Sequence, residues 1–435
     1  MADATAWLGA WATEDVGSRI AVACLLLVVS GYLFLWVSVL ADDYLSVSLG
    51  DLSKALGIPA SVSAATFVAF GSSAPELVIS AVGAASDNTE LTIPTLLASA
   101  LIAFGLIPAA CALYAEETLI FEDPGSLFRD AFSFAVPLGL VAWYSTKPTT
   151  NIWQAAVLLV CYPIYVCATY SLSHAPEEEE EEEEGSYGTM DSDDDLSRRR
   201  KGLFVFPTAS LLENKGEKTE DESSEKEEKK GTVLYYLEWP IRNVCEFTIV
   251  GGPWQRFLTT LAYVAALSYV AVYVAQLFAD IVGLSQATAG MTVLAFGAQV
   301  PDLIAAVELA KNGHADSGVS QAVGSQVINL TLGLGLPYLF FILTKHQKVK
   351  TDNNDTIVNL SVLVALMILV YMAIFASTVT RKRRRSNTAL LIDNKGNAKA
   401  NLTRNHGYLF LAAFILVYGL GITSAELRFP RSYPF

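Results

Sequence analysis

The sequence predicts an all-α polytopic membrane protein, with about ten transmembrane helices arranged as two inverted halves of five. Three observations predict it: long apolar blocks, one charged segment that divides them five and five, and a sequence repeat that spans the division. The chain has 435 residues and is 52% hydrophobic, with a mean hydropathy of +0.40. An ordinary soluble domain is not this apolar. A bilayer core needs roughly 20 mostly apolar residues per helix. Blocks of that kind lie near residues 19–41, 62–86, 91–114, 129–145, 151–173, 255–281, 285–311, 318–343, 356–380 and 406–424.

The first block follows an acidic start rather than a basic one and is long enough to span. It therefore reads as a helix and not as a cleavable signal. The fourth block is the shortest. After the fifth, residues 175–234 turn polar and low in complexity, with eight glutamates at 177–184 and the stretch "ENKGEKTEDESSEKEEKK". Such composition cannot bury a core and is expected to be disordered. It also accounts for much of the net charge of −15. The expected organisation is a first five-helix repeat over 19–174, an acidic cytoplasmic loop over 175–234 and a second repeat over 235–424.

Lysine and arginine near helix ends set orientation. "RRRK" (198–201) lies in the long loop and "RKRRR" (381–385) follows the ninth block, so both fall on one side. That side is expected to be cytoplasmic, which places both termini outside. Three lysines at 345–350 run against the rule. The five cysteines show neither metal-site spacing nor a disulfide framework, and the four histidines lie in loops or near block ends. No P-loop motif is present and the charged loop is too polar for a nucleotide domain, which excludes an ATP-driven pump. Neither a catalytic nor a nucleic-acid-binding constellation is expected, nor a resident cofactor.

The repeat carries the chemistry. "TFVAFGSSAPEL" (66–77) matches "TVLAFGAQVPDL" (292–303), so Glu76 corresponds to Asp302 at an offset of 226 residues. The next block keeps that offset, with "LLASALIA" (96–103) against "AVGSQVIN" (322–329) and Ser99 against Ser325. An odd number of helices per half makes the second half enter the membrane from the opposite side. Inverted repeats of this kind place a transport site at the midplane between them. Pro75 and Pro301 are each expected to break a helix, and Gly71 and Gly297 to loosen it. Backbone oxygens near Ala69–Ser72 and Ala295–Ala298 would thereby be freed. Carbonyls, hydroxyls and carboxylates are hard ligands suited to Ca²⁺ and Na⁺. A lone carboxylate near a helix end is as often merely solvated. Two at equivalent repeat positions, each after a proline, point to function. Serines in membrane helices commonly bond backbone, so Ser72, Ser73, Ser99 and Ser325 gain weight only from their neighbours.

"GSSAPE" (71–76) and "PDLIAAVELAKNGHADSGVSQAVGSQVINLTLGLGLP" (301–337) resemble the two signature repeats of the sodium/calcium exchanger superfamily. The wording of 40–77 is closest to its potassium-dependent members. The resemblance implies the sodium/calcium exchanger fold, alternating access and exchange of Na⁺ for Ca²⁺ across a lipid bilayer. It implies Glu76 and Asp302 as shared cation ligands, backbone oxygens at Ala69, Ser72, Ala295 and Ala298, and side chains from Ser73, Ser99, Ser325 and Asn329. The sequence departs from the family pattern in several places. Gly297-Ala298-Gln299 replaces Gly-Thr-Ser, Ala103 stands where an Asn is usual, Gln326 replaces an Asn, and Asn329 stands where potassium-dependent members carry Asp. The amides of Gln299 and Gln326 would partly compensate as ligands, and the lost acid argues against a K⁺ site. Two other classes stay open: a cation/proton exchanger using the same carboxylates, and a non-transporting, Ca²⁺-responsive membrane scaffold.

Overall fold

A computed structural model describes residues 16–56, 69–85, 89–173 apart from five linker positions, 237–345 apart from 312 and 314, 349–350, 354–385 and 400–427. The acidic segment 175–234 lies outside the described residues.

The first half begins with α1 (Val16–Val39), which continues through a π-helical turn (Leu40–Leu45) into α2 (Ser46–Ala55). α3 (Ala69–Ser72) and α4 (Ala74–Ala85) form the described part of the second block, separated by a turn at Ser73. The third is α5 (Thr89–Leu101), a π turn (Ile102–Leu106) and α6 (Ile107–Tyr114); then come α7 (Pro124–Tyr144) and α8 (Ile152–Ser173). The second half contains α9 (Pro253–Val282), then α10 (Gln286–Ala289), a π turn (Gly290–Ala295) and α11 (Phe296–Lys311). It closes with α12 (Ala315–Lys345), α13 (Asn354–Arg385) and α14 (Arg404–Leu427). Among the described residues, 9 helices are long and apolar enough to cross a membrane, and Ala74–Ala85 is a shorter apolar one.

Two block boundaries shift. The first helix does not end near residue 41 but runs on to Ala55, because the π turn absorbs Asp42 and Asp43 without ending the helix. The disputed fourth block is a full span that starts at Pro124, a residue suited to a helix N-terminus because its missing N–H is not needed there.

Four short strands tie the loops. β1 (Leu119–Phe121) pairs antiparallel with β4 (Ala400–Leu402), with Ile120 opposite Asn401. β2 (Thr149–Thr150) pairs with β3 (Val349–Lys350), with Thr149 opposite Lys350. The loop before α7 is thus joined to the loop before α14, and the loop after α7 to the loop before α13. Each pair joins the two halves. Together they fix α7 and α13 as full crossings, each with one end at one strand pair and the other end at the other.

Burial grades from centre to rim. Of an 18-residue apolar stretch within Glu90–Tyr114, 89% is buried, whereas within Ile152–Thr169 the share is 11%. The third block is therefore the centre, and α8 presents Trp153, Val160 and Ile164 outward. Outward apolar side chains suit a lipid-facing surface. An aromatic cluster of Phe104, Phe134, Tyr371, Phe375 and Phe410 locks the centre to α7, α13 and α14, with Phe104 and Tyr371 edge-to-face at 5.3 Å. A second apolar cluster joins α1 to α9, where Arg19 Nη2 also donates to the Ile281 carbonyl at 3.2 Å. Residues 237–248, which belong to a unit separate from the membrane helices, are helical, and Arg242 pairs with Glu238 at 3.1 Å.

Candidate cation site

The local backbone explains where the candidate side chains sit. Three π-helical turns flank them. One contains Ala41, one begins three residues after Ser99, and one ends four residues before Gln299. A π turn inserts a residue into the helical ladder and displaces carbonyls from their usual partners. Met291, inside the last of these, has its carbonyl taken up by the buried Tyr418 hydroxyl of α14 at 2.6 Å. The Tyr418 ring also stacks edge-on against Phe296 at 5.5 Å. Gly290 opens the same turn. A Cβ there would overlap the Leu91 carbonyl and the Thr95 hydroxyl, so only glycine lets the second half lie this closely on α5 of the first.

The two prolines behave differently. Pro75 is the second residue of α4, directly after the break at Ser73, as expected. Pro301 does not break its helix: it lies inside α11, which runs unbroken from Phe296 to Lys311. The irregularity of the second repeat sits about two to three turns earlier, as the π turn. The missing N–H of Pro301 still removes a partner from the Gly297 carbonyl one turn back.

Glu76 lies in the first turn of α4 and is 3% exposed. The positive end of a helix dipole favours a carboxylate at that place. Gln299 Nε2 donates to Glu76 Oε1 at 3.1 Å, a direct bond between the two repeats. Asp302 is partly buried and opens onto a small cleft lined by Phe34, Ser38 and Ala41 and by Pro75, Gly297 and Pro301. At the two carboxylates the repeats meet through Glu76 with Gln299 and through Pro75 beside Asp302. Leu77 packs against Ile328 and Leu332, which sets the Glu76 helix against the face of α12 next to Asn329.

Five candidate side chains share one property. Ser73 Oγ, Ser99 Oγ, Gln299 Oε1, Gln326 Oε1 and both polar atoms of Asn329 are buried without a hydrogen-bond partner among the described residues. An unpartnered buried polar group costs about 1–3 kcal/mol, so such a group calls for a specific reason. Ser325 differs. Its hydroxyl donates to the Ala322 carbonyl of its own helix at 3.0 Å and accepts from Gln326 Nε2 at 3.3 Å. Ala295 is buried at the end of the π turn, and Ala298 lies on the cleft wall. Ala69 and Ser72 bound the short helix α3.

Sequence reasoning missed a buried ion pair. Asp130 of α7 is 1% exposed; it accepts from Arg129 Nε at 2.9 Å and from Ser320 Oγ of α12 at 3.2 Å. It also missed Tyr418, for which the sequence holds no signal.

The family profile described as sodium/calcium exchanger protein matches residues 25–171 and 253–422, which is both halves without the segment between them. The chain belongs to the sodium/calcium exchanger family. Human sodium/potassium/calcium exchanger 5 is 26% identical over 432 residues, covering 90% of this chain and 82% of the relative. Chicken sodium/potassium/calcium exchanger 2 is 22% identical over 470 residues, covering 79% of this chain and 72% of the relative. A crystal structure of an H⁺/Ca²⁺ exchanger superposes with a TM-score of 0.51 at 14% identity, covering 95% of this chain and 86% of that one. This likeness shows the fold: two inverted five-helix repeats in a multi-pass integral membrane protein.

Proposed function

We propose that this exchanger is a secondary active antiporter that moves Ca²⁺ against Na⁺ by alternating access, with Glu76 and Asp302 as the shared cation ligands. One observation carries the reading. The carboxylate of one repeat is bonded to the other repeat, and the carboxylate of the second opens onto a cleft walled by the first. A carboxylate buried at membrane depth is costly and is retained for what it binds. Each half supplies one acid at an equivalent place, so a bound divalent cation is neutralised symmetrically and both halves can rock around it. The orphaned oxygens of Ser73, Ser99, Gln299, Gln326 and Asn329 have the hard-ligand chemistry of Ca²⁺ and Na⁺ coordination. Backbone oxygens at Ala69, Ser72, Ala295 and Ala298 belong to the same set. Ser325 can offer an oxygen lone pair while it still donates to the Ala322 carbonyl, in competition with the bond it accepts from Gln326.

The names of the relatives include potassium. The proposal for this chain omits it, because Asn329 supplies no charge to offset a cation beside bound Ca²⁺. Residues 175–234 are assigned to the cytoplasmic side as a linker between the halves at 19–174 and 235–424, with both termini on the opposite side. Radiolabelled Ca²⁺ flux in proteoliposomes, with Na⁺, K⁺ and H⁺ gradients imposed one at a time, tests the assignment. Uptake driven by Na⁺ alone supports it, and uptake driven by H⁺ alone replaces it with cation/proton exchange.

A further inference from the structure

Gln299 stands 226 positions after Ser73, at the same place in its repeat, yet the two side chains do different things. Ser73 is short, and its hydroxyl has no partner among the described residues. Gln299 is 1% exposed and reaches across to Glu76. An ionised carboxylate only accepts hydrogen bonds, so the end of the carboxamide facing it must be the NH₂. A donor therefore occupies Glu76 Oε1 at 3.1 Å, on the very atom a cation would use. Asp302 has no such donor among the described residues and faces the cleft. The two carboxylates are equivalent in the repeat and unequal in what holds them.

We infer that Gln299 is a specificity-determining residue that withholds one carboxylate oxygen of Glu76 from the transported cation and thereby weakens Ca²⁺ relative to Na⁺. This rests on the reading of Glu76 as a cation ligand. Ca²⁺ takes 6–8 oxygens and commonly grips a carboxylate through both. To do so here it competes for Oε1 with a charge-assisted bond, which is stronger than a neutral one. Na⁺ carries half the charge and gains less from the second oxygen, so it leaves the bond in place. The unpartnered Gln299 Oε1 stays at the site in either case. Removing the donor frees the oxygen and helps the divalent ion more.

The test compares the full-length chain with Gln299→Ser, the residue of the first repeat, and with Gln299→Leu. Both remove the donor. Gln299→Asn keeps the amide and shortens its reach, and serves where either of the others fails to insert. Radiolabelled Ca²⁺ uptake into proteoliposomes is titrated with Ca²⁺ and with competing Na⁺. Each variant should shift the ratio of apparent Ca²⁺ to Na⁺ affinity toward Ca²⁺ by roughly ten- to a hundredfold, the worth of one hydrogen bond to a charged group. In detergent, Ca²⁺ should raise the melting temperature of each variant by more than it raises that of the unmodified chain. A fall in Ca²⁺ affinity in the variants would show that Gln299 matters more as a ligand through Oε1 than as a competitor for Glu76, and would overturn the inference. An unchanged ratio would do the same. Glu76→Gln is run in parallel: if it transports Ca²⁺ normally, the reading of the site fails, whereas if it is inactive and the Gln299 variants keep the original ratio, only the present inference fails.

Discussion

Replacing Asp130 with alanine should be among the most damaging single changes outside the cation site. The Asp130 side chain is 2% exposed and that of Arg129 is 15% exposed, with Nη2 to Oδ1 at 2.9 Å. Asp130 lies six residues into α7, about 9 Å along the helix from its start. Its other oxygen accepts from Ser320, five residues into α12. Truncation removes the bonds from Arg129, Ser320 and Tyr165 and strands a guanidinium in a low-dielectric setting. Breaking a buried pair by removing one partner costs about 3–5 kcal/mol. Replacing both partners with leucine should cost far less, because no charge is then left behind. The assay is reversible unfolding of the purified chain in mixed micelles, read for Asp130→Ala, Arg129→Leu and the double Arg129→Leu/Asp130→Leu variant. The expected order of damage is Asp130→Ala first and the double variant last. A loss below about 1 kcal/mol for Asp130→Ala would refute the reasoning, since it would mean that Arg129 reaches water when its partner goes.

Two further outcomes follow from packing and charge. Gly290→Ala would press a Cβ into the Leu91 backbone carbonyl and should cost about 1–3 kcal/mol or prevent insertion, whereas Gly139→Ala meets nothing within 4 Å and should be neutral or stabilising; thermal melts in detergent check both. Ca²⁺ flux should persist when K⁺ is replaced by choline, and Asn329→Asp should introduce at most partial K⁺ stimulation, read by the same flux assay.

The helices were legible because bilayer thickness forces long apolar blocks, and the inverted halves because the motif recurs at one offset across a pair of helices. Pro75 was legible as a break for the same local reason that any proline is. Pro301 was not, because membrane helices tolerate proline where neighbouring groups take up the freed carbonyl. The π turns leave no mark on hydropathy: one inserted residue changes the phase of a helix and not its composition. The bond from Gln299 to Glu76 joins residues 223 apart in the chain, and nothing local requires it. Asp130 was visible as a charge at the edge of the fourth block. Its burial was not legible, because the block was drawn from 129, whereas the helix starts at Pro124 and carries Asp130 inside. The acidic segment was legible as composition alone.

The pairing of Glu76 with Asp302 is tested most directly by neutralising each in turn. Glu76→Gln and Asp302→Asn preserve shape and remove one charge each from a site that must hold a divalent ion at membrane depth. Radiolabelled Ca²⁺ uptake into proteoliposomes, driven by an imposed Na⁺ gradient and normalised to inserted protein, should fall to near background in both variants, with the melting temperature of the cation-free protein unchanged or raised. Uptake at the unmodified rate in either variant would contradict the account.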